Sequence, residues 1–155
     1  MDKEALQGPK AALGALAEQQ AQNLAAPGSG IGVDIEFIED INIENDWYID
    51  RNFTQREQAY CRSQPNPHAS FAGRWCAKEA VIKAVSSLNL ARAKVWTQGA
   101  AAPLIGIEIV IAESGAPEVI FHDDARDASE KAGVSHVRVS ISHIDAFAIA
   151  TAIAT

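Results

Sequence analysis

Asp34 and Glu36 stand two residues apart in Gly32-Val33-Asp34-Ile35-Glu36, a stretch that reads as a short β-strand. Val33, Ile35 and Phe37 alternate with them, so the two carboxylates share one face of that strand and the apolar side chains share the other. A third carboxylate, Glu79, lies in a helical stretch, Phe71 to Lys83, inside the arc marked by Phe71, Trp75 and Ile82, where an apolar residue would be expected. Carboxylate oxygens are the ligands that a hard divalent cation takes, and magnesium in particular binds through a few carboxylates together with substrate phosphates. Asp34, Glu36 and Glu79 therefore suggest a site for Mg²⁺ and a phosphorylated ligand.

Each of these residues also has a plainer explanation. On pattern alone, Asp34 and Glu36 are what the solvent face of an edge strand would carry. Glu79 precedes Lys83 by four residues, the favourable order for an intrahelical ion pair, although such a pair does not explain a carboxylate on the apolar arc. Lys78 and Lys83 could hold phosphate oxygens as point charges, or lie along a helix flank with only their ammonium groups in water. His143 directly follows a strand-like run ending in Ser142, so both could point into a site at its end, or the histidine could simply be exposed in a turn. His68, His122 and His136 have no comparable context. The sequence has no Gly-x-Ser-x-Gly, Walker-type loop, Rossmann glycine pattern or cysteine cluster.

A length of 155 residues fits one domain with a real core. Hydrophobic residues make up 48% and charged residues 21%, but alanine supplies much of the apolar share, so few large side chains must build the core. The net charge of −7 argues against a nucleic-acid partner, and an acidic partner would need a local basic patch. No apolar run approaches a membrane span and no signal-peptide pattern opens the chain. Cys61 and Cys76 lack metal-type spacing, which fits a reducing, cytoplasmic setting.

The elements that must position these residues follow in order. Residues 1–29 look like an N-terminal extension, either a docking helix or a linker tail. Gly8-Pro9 is expected to break any helix there, and the alanine-rich run after it has a thin leucine stripe. Ile31 to Ile38 is the first strand. Thr54-Gln55-Arg56-Glu57 is a capping box opening a helix to about Arg62, and Pro67 suits the first position of a long helix running to about Ser87. Asn89 to Ala102 reads as a loop. Ile105, Ile107, Ile109 and Ile111 should face one way on a strand, with a return strand over Glu118 to His122. A helix from Asp123 should end at Gly133 in a left-handed cap. Val137, Val139 and Ile141 point inward on the next strand, Ser142 to Asp145 forms a tight connection, and a last strand runs from Ala146 to Ala154. The order implies an α+β domain over residues 30–155, an antiparallel β-meander packed against a long helix.

Taken together, three stretches resemble the 4′-phosphopantetheinyl transferase superfamily. They are Gly32-Val33-Asp34, Trp75-Cys76-Ala77-Lys78-Glu79-Ala80-Val81-Ile82-Lys83, and Ser140-Ile141-Ser142-His143, in that order. Arg51-Asn52-Phe53-Thr54 and Ser70-Phe71-Ala72-Gly73-Arg74-Trp75 narrow the resemblance to the transferase domains at the C-terminus of the α-subunit of fungal type I fatty acid synthases. The set covers about residues 30 to 155 and outweighs the plain readings of its single members. Cys76 stands where a serine is common, and the 89–102 connection is longer than usual in the family.

The resemblance implies a holo-acyl-carrier-protein synthase-like fold. The implied activity is transfer of 4′-phosphopantetheine from coenzyme A to a serine of an acyl carrier protein domain, converting apo to holo carrier and releasing adenosine 3′,5′-bisphosphate. By carry-over, Asp34 and Glu79 hold Mg²⁺, with Glu36 and the Ile35 carbonyl close to its shell and Ser142 and His143 at the same site. Lys78 and Lys83 would contact phosphates, while Tyr60, Ser70, Arg74 and Ile141 match positions near the nucleotide. Glu79 is the favoured acceptor of the serine proton, with Glu36 as its competitor. Small single-copy members of the superfamily form trimers with sites between subunits, so half of the site is expected from a neighbour. The carrier should dock on a basic patch, for which Arg51, Arg56, Arg62 and Arg74 are candidates. The alternative is a catalytically silent, self-associating module of a fatty acid synthase, and the chain reads either as an excised domain or as a full-length protein.

Overall fold

The structure, a computed structural model, describes residues 3–24, 28–88 and 104–155. Its elements are α1 (Lys3–Leu24), β1 (Gly30–Phe37), α2 (Asp46–Asn52), α3 (Gln55–Ser63), α4 (Pro67–Leu88), β2 (Ile107–Ile111), β3 (Pro117–Phe121), α5 (Asp123–Ala132), β4 (Val137–Ile144) and β5 (Phe147–Ala154). The α+β class expected from the sequence is the class observed. Among the described residues, however, the strands form two units rather than one meander: β1, β5 and β4 make an antiparallel sheet in that order, and β2–β3 is a separate hairpin. The first strand thus pairs with the last, with Asp34 opposite Ala150 and Glu36 opposite Ala148.

Small residues set how α4 meets the sheet. Gly30, Gly32, Ala148, Ala150, Ala152 and Ala154 fall on one face by strand alternation and register. A Cβ on Gly32 would come within 2.0 Å of the Ala80 carbonyl oxygen, and one on Gly30 equally close to that of Ala84. Only glycine lets the two backbones come this near. The opposite side of α4 carries the large side chains: Phe71 meets Phe53 edge to face at 5.0 Å, near Ile49, Ile107 and Ile109, all essentially without solvent exposure. The helix is therefore sandwiched between the sheet and a second layer built from α2, α3 and β2. Its two flanks remain for chemistry.

Local signals placed most ends of the elements. The Thr54 hydroxyl accepts from the Glu57 amide while the Glu57 carboxylate accepts from the Thr54 amide. Asn66 caps α4 through Ala69, with Pro67 in first position as expected. Gly133 ends α5 at φ 83°.

Three expectations need correction, and a fourth cannot be compared. Gly8-Pro9 does not break α1: the helix passes through Pro9, and docking on β1, where Gly14 meets Ile35, outweighs the hydrogen bond that proline removes. Ile105 lies exposed in a short 3₁₀ turn rather than on β2. Ser142 and His143 belong to β4 itself, because the hairpin turn is only Asp145-Ala146, with Asp145 at φ 45°. Being consecutive in an extended strand, they point to opposite faces. The loop assigned to Asn89–Ala102 falls outside the described residues.

Candidate active site

Asp34 and Glu36 lie on the face of β1 that meets α4, not on a solvent face. Asp34 Oδ1 accepts from Lys83 Nζ at 3.0 Å, and the same ammonium donates to the Val33 carbonyl at 2.8 Å. Asp34 Oδ2 is buried with no partner among the described residues. Burial raises the pKa of Glu79, the neighbouring charges of Asp34 and Glu36 add to the rise, and Lys83 opposes it. Tyr48 faces the same charges: burial first, then Glu36, Asp40 and Glu79, push its phenol well above the ordinary tyrosine range and keep it neutral. Its ring stacks on Trp75 at 5.5 Å, one helical turn before Glu79. Cys76 also belongs here. Its thiol donates to the Ala148 carbonyl at 3.4 Å, and burial together with Asp34 keeps it protonated.

Among the described residues no three His, Cys, Asp or Glu side chains already converge as a metal cage. The donor set nevertheless suits a magnesium ion, which takes only one or two carboxylates and fills its octahedron with water and substrate phosphate. An unpartnered buried carboxylate oxygen beside a second carboxylate of raised pKa is a place where a cation lowers the energy.

The second half of the chemistry lies on the other flank of α4. A cavity of about 420 Å³ is bounded by Tyr60, Ser70, Gly73, Arg74, Ile141 and His143, with the β2–β3 hairpin closing one side. The Arg74 guanidinium lies 4.2 Å from the centroid of the Tyr60 ring and donates to Ser70 Oγ at 3.1 Å, while its buried Nε has no partner among the described residues. An aromatic ring, a fixed guanidinium with an unused donor, and a histidine at the rim form a surface suited to a phosphorylated nucleotide. At about 100° per residue, Ser70 and Arg74 stand roughly 140–180° around the helix from Glu79 and Lys83. Within one chain the acidic cluster and the cavity therefore face opposite ways.

The predicted residues separate accordingly. Asp34, Glu36, Glu79 and Lys83 come together at one flank, and Tyr60, Ser70, Arg74, Ile141 and His143 at the other. His143 faces the α4 side of the sheet, but it lies across Ala148 from Glu36, two strand spacings or roughly 10 Å away. Ser142 and the Ile35 side chain lie on the reverse face, beside α1.

The structure places Lys78, the expected phosphate contact, between the two flanks rather than on either. It is fully buried, and its three donors are spent on Glu57 at 2.7 Å, the Leu104 carbonyl at 3.0 Å and the Asn52 carbonyl. Burial pushes its pKa down and Glu57 opposes that shift. The network continues: Glu57 accepts from the Ile109 amide, and Thr54 donates to Glu108, which also meets His122 at 3.0 Å. Burial would raise the Glu108 pKa, but Thr54, His122 and Arg56 together hold it low. Of this network the sequence reveals only the capping box, because Glu57, Glu108 and His122 are 51 and 14 positions apart. Lys10, which pairs with Glu36 from α1 at 2.6 Å, has no sequence signal at all.

The profile of the 4′-phosphopantetheinyl transferase superfamily matches residues 30–152. The chain is 48% identical over 132 residues to the fatty acid synthase subunit alpha of Schizosaccharomyces pombe, a match covering 85% of this chain but only 7% of that subunit. Holo-[acyl-carrier-protein] synthase from Neisseria meningitidis superposes with a TM-score of 0.66 at 26% identity, covering 81% of this chain and 97% of that one. The holo-(acyl-carrier-protein) synthase of Bacillus anthracis, solved in complex with CoA (3′,5′-ADP), gives 0.59 at 27% identity over 81% and 94% of the two chains. No helix among the described residues is long and apolar enough to cross a membrane.

Proposed function

The chain belongs to the 4′-phosphopantetheinyl transferase superfamily, and from that premise we propose that it transfers 4′-phosphopantetheine from coenzyme A to a serine of an acyl carrier protein domain. The observation that carries the proposal is the pairing of an acidic, cation-suited cluster at Asp34 and Glu79 with a nucleotide-suited cavity at Tyr60, Ser70 and Arg74. A coenzyme A diphosphate needs both.

The serine Oγ attacks the phosphorus bearing the pantetheine, the bond from that phosphorus to the oxygen of adenosine 3′,5′-bisphosphate breaks, and the serine proton leaves to a carboxylate. We assign that proton to Glu79, the carboxylate of the cluster that makes no ion pair among the described residues. Asp34 and Glu79 would hold Mg²⁺, which supplies charge neutralisation of the diphosphate when bound. Lys83 orients Asp34 and stays within reach of a phosphate oxygen. Arg74, stacked on Tyr60, anchors the nucleotide end. Catalysis is then mainly positioning and electrostatics.

Because the two half-sites face opposite flanks of α4, we further propose that each complete site forms between two copies, the acidic flank of one chain meeting the cavity of the next, in a homotrimer. In a synthase, the neighbouring copies and an acidic carrier domain would come from the larger assembly. Of the four candidate arginines for carrier docking, the structure leaves Arg56, Arg51 and Arg62 exposed, whereas Arg74 is buried and committed to the cavity. Residues 1–29 would then form an accessory segment beside a transferase domain of residues 30–155.

The test is direct: incubate the protein with coenzyme A, Mg²⁺ and an apo carrier domain, and follow the carrier by mass spectrometry. The carrier should gain the phosphopantetheine mass, and Glu79→Gln should abolish the gain. A carrier of unchanged mass would reject transfer and leave a silent, self-associating module.

A further inference from the structure

Helix α1 lies outside the residues matched to the superfamily, yet it reaches the acidic cluster. Lys10 Nζ sits 2.6 Å from Glu36 Oε2, and the same ammonium lies 5.0 Å from the centroid of the Phe37 ring. Glu36 and Phe37 are consecutive in β1 and point to opposite faces. One lysine can touch both by lying over Phe37 and hooking around the outer edge of β1, which among the described residues pairs with β5 alone. Lys10 and Glu36 are partly buried, at 19% and 29% exposure, so their pair is less screened than an open surface contact. The three carboxylates are thus unequal. Asp34 is met by Lys83 and Glu36 by Lys10, whereas Glu79 makes no ion pair among the described residues.

We propose that Lys10 is a positioning residue of the site: it holds Glu36 away from the divalent cation, leaves that cation to Asp34 and Glu79, and couples the seating of α1 to cation affinity. The inference rests on the transferase reading only for the location of the cation. Lys10 and the cation compete for Glu36, so by linkage a bound cation loosens α1 and a seated α1 weakens the cation. Glu36 is thereby removed as a rival to Glu79 for the serine proton.

The test measures Mn²⁺ binding to the full chain, without coenzyme A or carrier, from the free-Mn²⁺ signal in electron paramagnetic resonance. Lys10→Met should bind Mn²⁺ about fivefold or more tightly than the unaltered chain, within the usual range of coupling between linked sites. Lys10→Arg should bind it nearly as the unaltered chain does, and Lys10→Met combined with Glu36→Gln should lose the gain. Mn²⁺ should also speed amide exchange across residues 3–24 in the unaltered chain and less in Lys10→Met. Circular dichroism melts establish that each variant is folded, and Glu36→Gln removes the same pair from its other partner should Lys10→Met fail to fold. Equal affinity in Lys10→Met, a gain that survives Glu36→Gln, or no Mn²⁺ binding at millimolar concentration would overturn the inference. None of these readouts uses group transfer. A chain that behaves as expected toward Mn²⁺ but adds no phosphopantetheine keeps this inference and loses the transferase reading.

Discussion

The opposed half-sites can be tested by complementation. Asp34→Asn removes the charge that faces Lys83, and Arg74→Gln removes the guanidinium stacked on Tyr60 while leaving a side chain to fill the space. Each change deletes a hydrogen bond to a charged group, worth about 1.5–3 kcal/mol, so each variant alone should retain no more than about a tenth to a hundredth of the transfer rate. Co-expressed in equal amounts, the two should mix at random in a cyclic assembly. A site is intact when its acidic flank comes from the Arg74 variant and its cavity from the Asp34 variant. Each condition holds for about half the chains, so the mixture should recover about a quarter of the unaltered rate. The assay is carrier mass gain per chain, with the composition of the assembly fixed by differential tags. Diluting unaltered chains with an equal amount of the Asp34→Asn, Arg74→Gln double variant should likewise leave about a quarter of the rate of an all-unaltered assembly, whereas a site completed within one chain would leave about half. A co-expressed mixture no more active than the two variants measured separately would refute the assignment of the half-sites to different copies.

The remaining predictions concern stability and its dependence on pH. Lys78→Met strands the buried Glu57 carboxylate and should cost about 3–5 kcal/mol in urea unfolding, and adding Glu57→Gln should recover much of that loss, because the penalty is the uncompensated charge. Gly32→Ala forces a Cβ against the Ala80 carbonyl and should cost about 3 kcal/mol, the upper end of overpacking, in the same measurement. Glu79 titrates above its unfolded-state pKa. Its favourable contribution is therefore complete below the unfolded value and is lost as pH rises through the folded one. Mg²⁺ offsets that loss, so thermal melts should show a larger Mg²⁺-induced rise in Tm above the folded pKa of Glu79 than below it, and Glu79→Gln should remove this difference. An equal rise at both pH values would argue against Glu79 as a ligand.

What the sequence revealed followed from how local each signal was. The capping box at Thr54, Pro67 at the start of α4 and the Gly133 cap each act within a few residues, and each was legible. Alternation placed Val33, Asp34 and Glu36 on the correct faces of β1, but it could not show which face meets a helix, and so left the carboxylates looking solvated. Lys78 shows the converse limit of a local signal. Its motif position suggests a phosphate ligand, yet its surroundings come from Asn52, Glu57 and Leu104, which no local pattern connects. Pro9 misled because its local cost is real but smaller than the docking of α1 on β1.

Sequence spacing also concealed which side of α4 each residue serves. Arg74 and Glu79 are five positions apart, close enough to suggest one site, but a helix turns them away from each other. Between them, on the side packed under α2, α3 and β2, Lys78 is tied to Glu57, Asn52 and Leu104. That buried lysine fixes the rotation of α4 about its own axis relative to the second layer, and Gly30 and Gly32 fix its distance from the sheet. With rotation and distance both set, Glu79 is aimed at Asp34 on one flank and Arg74 at Tyr60 on the other. A residue outside both flanks therefore governs the geometry of each, so the double change at Lys78 and Glu57 should weaken nucleotide and cation binding together even where it restores stability.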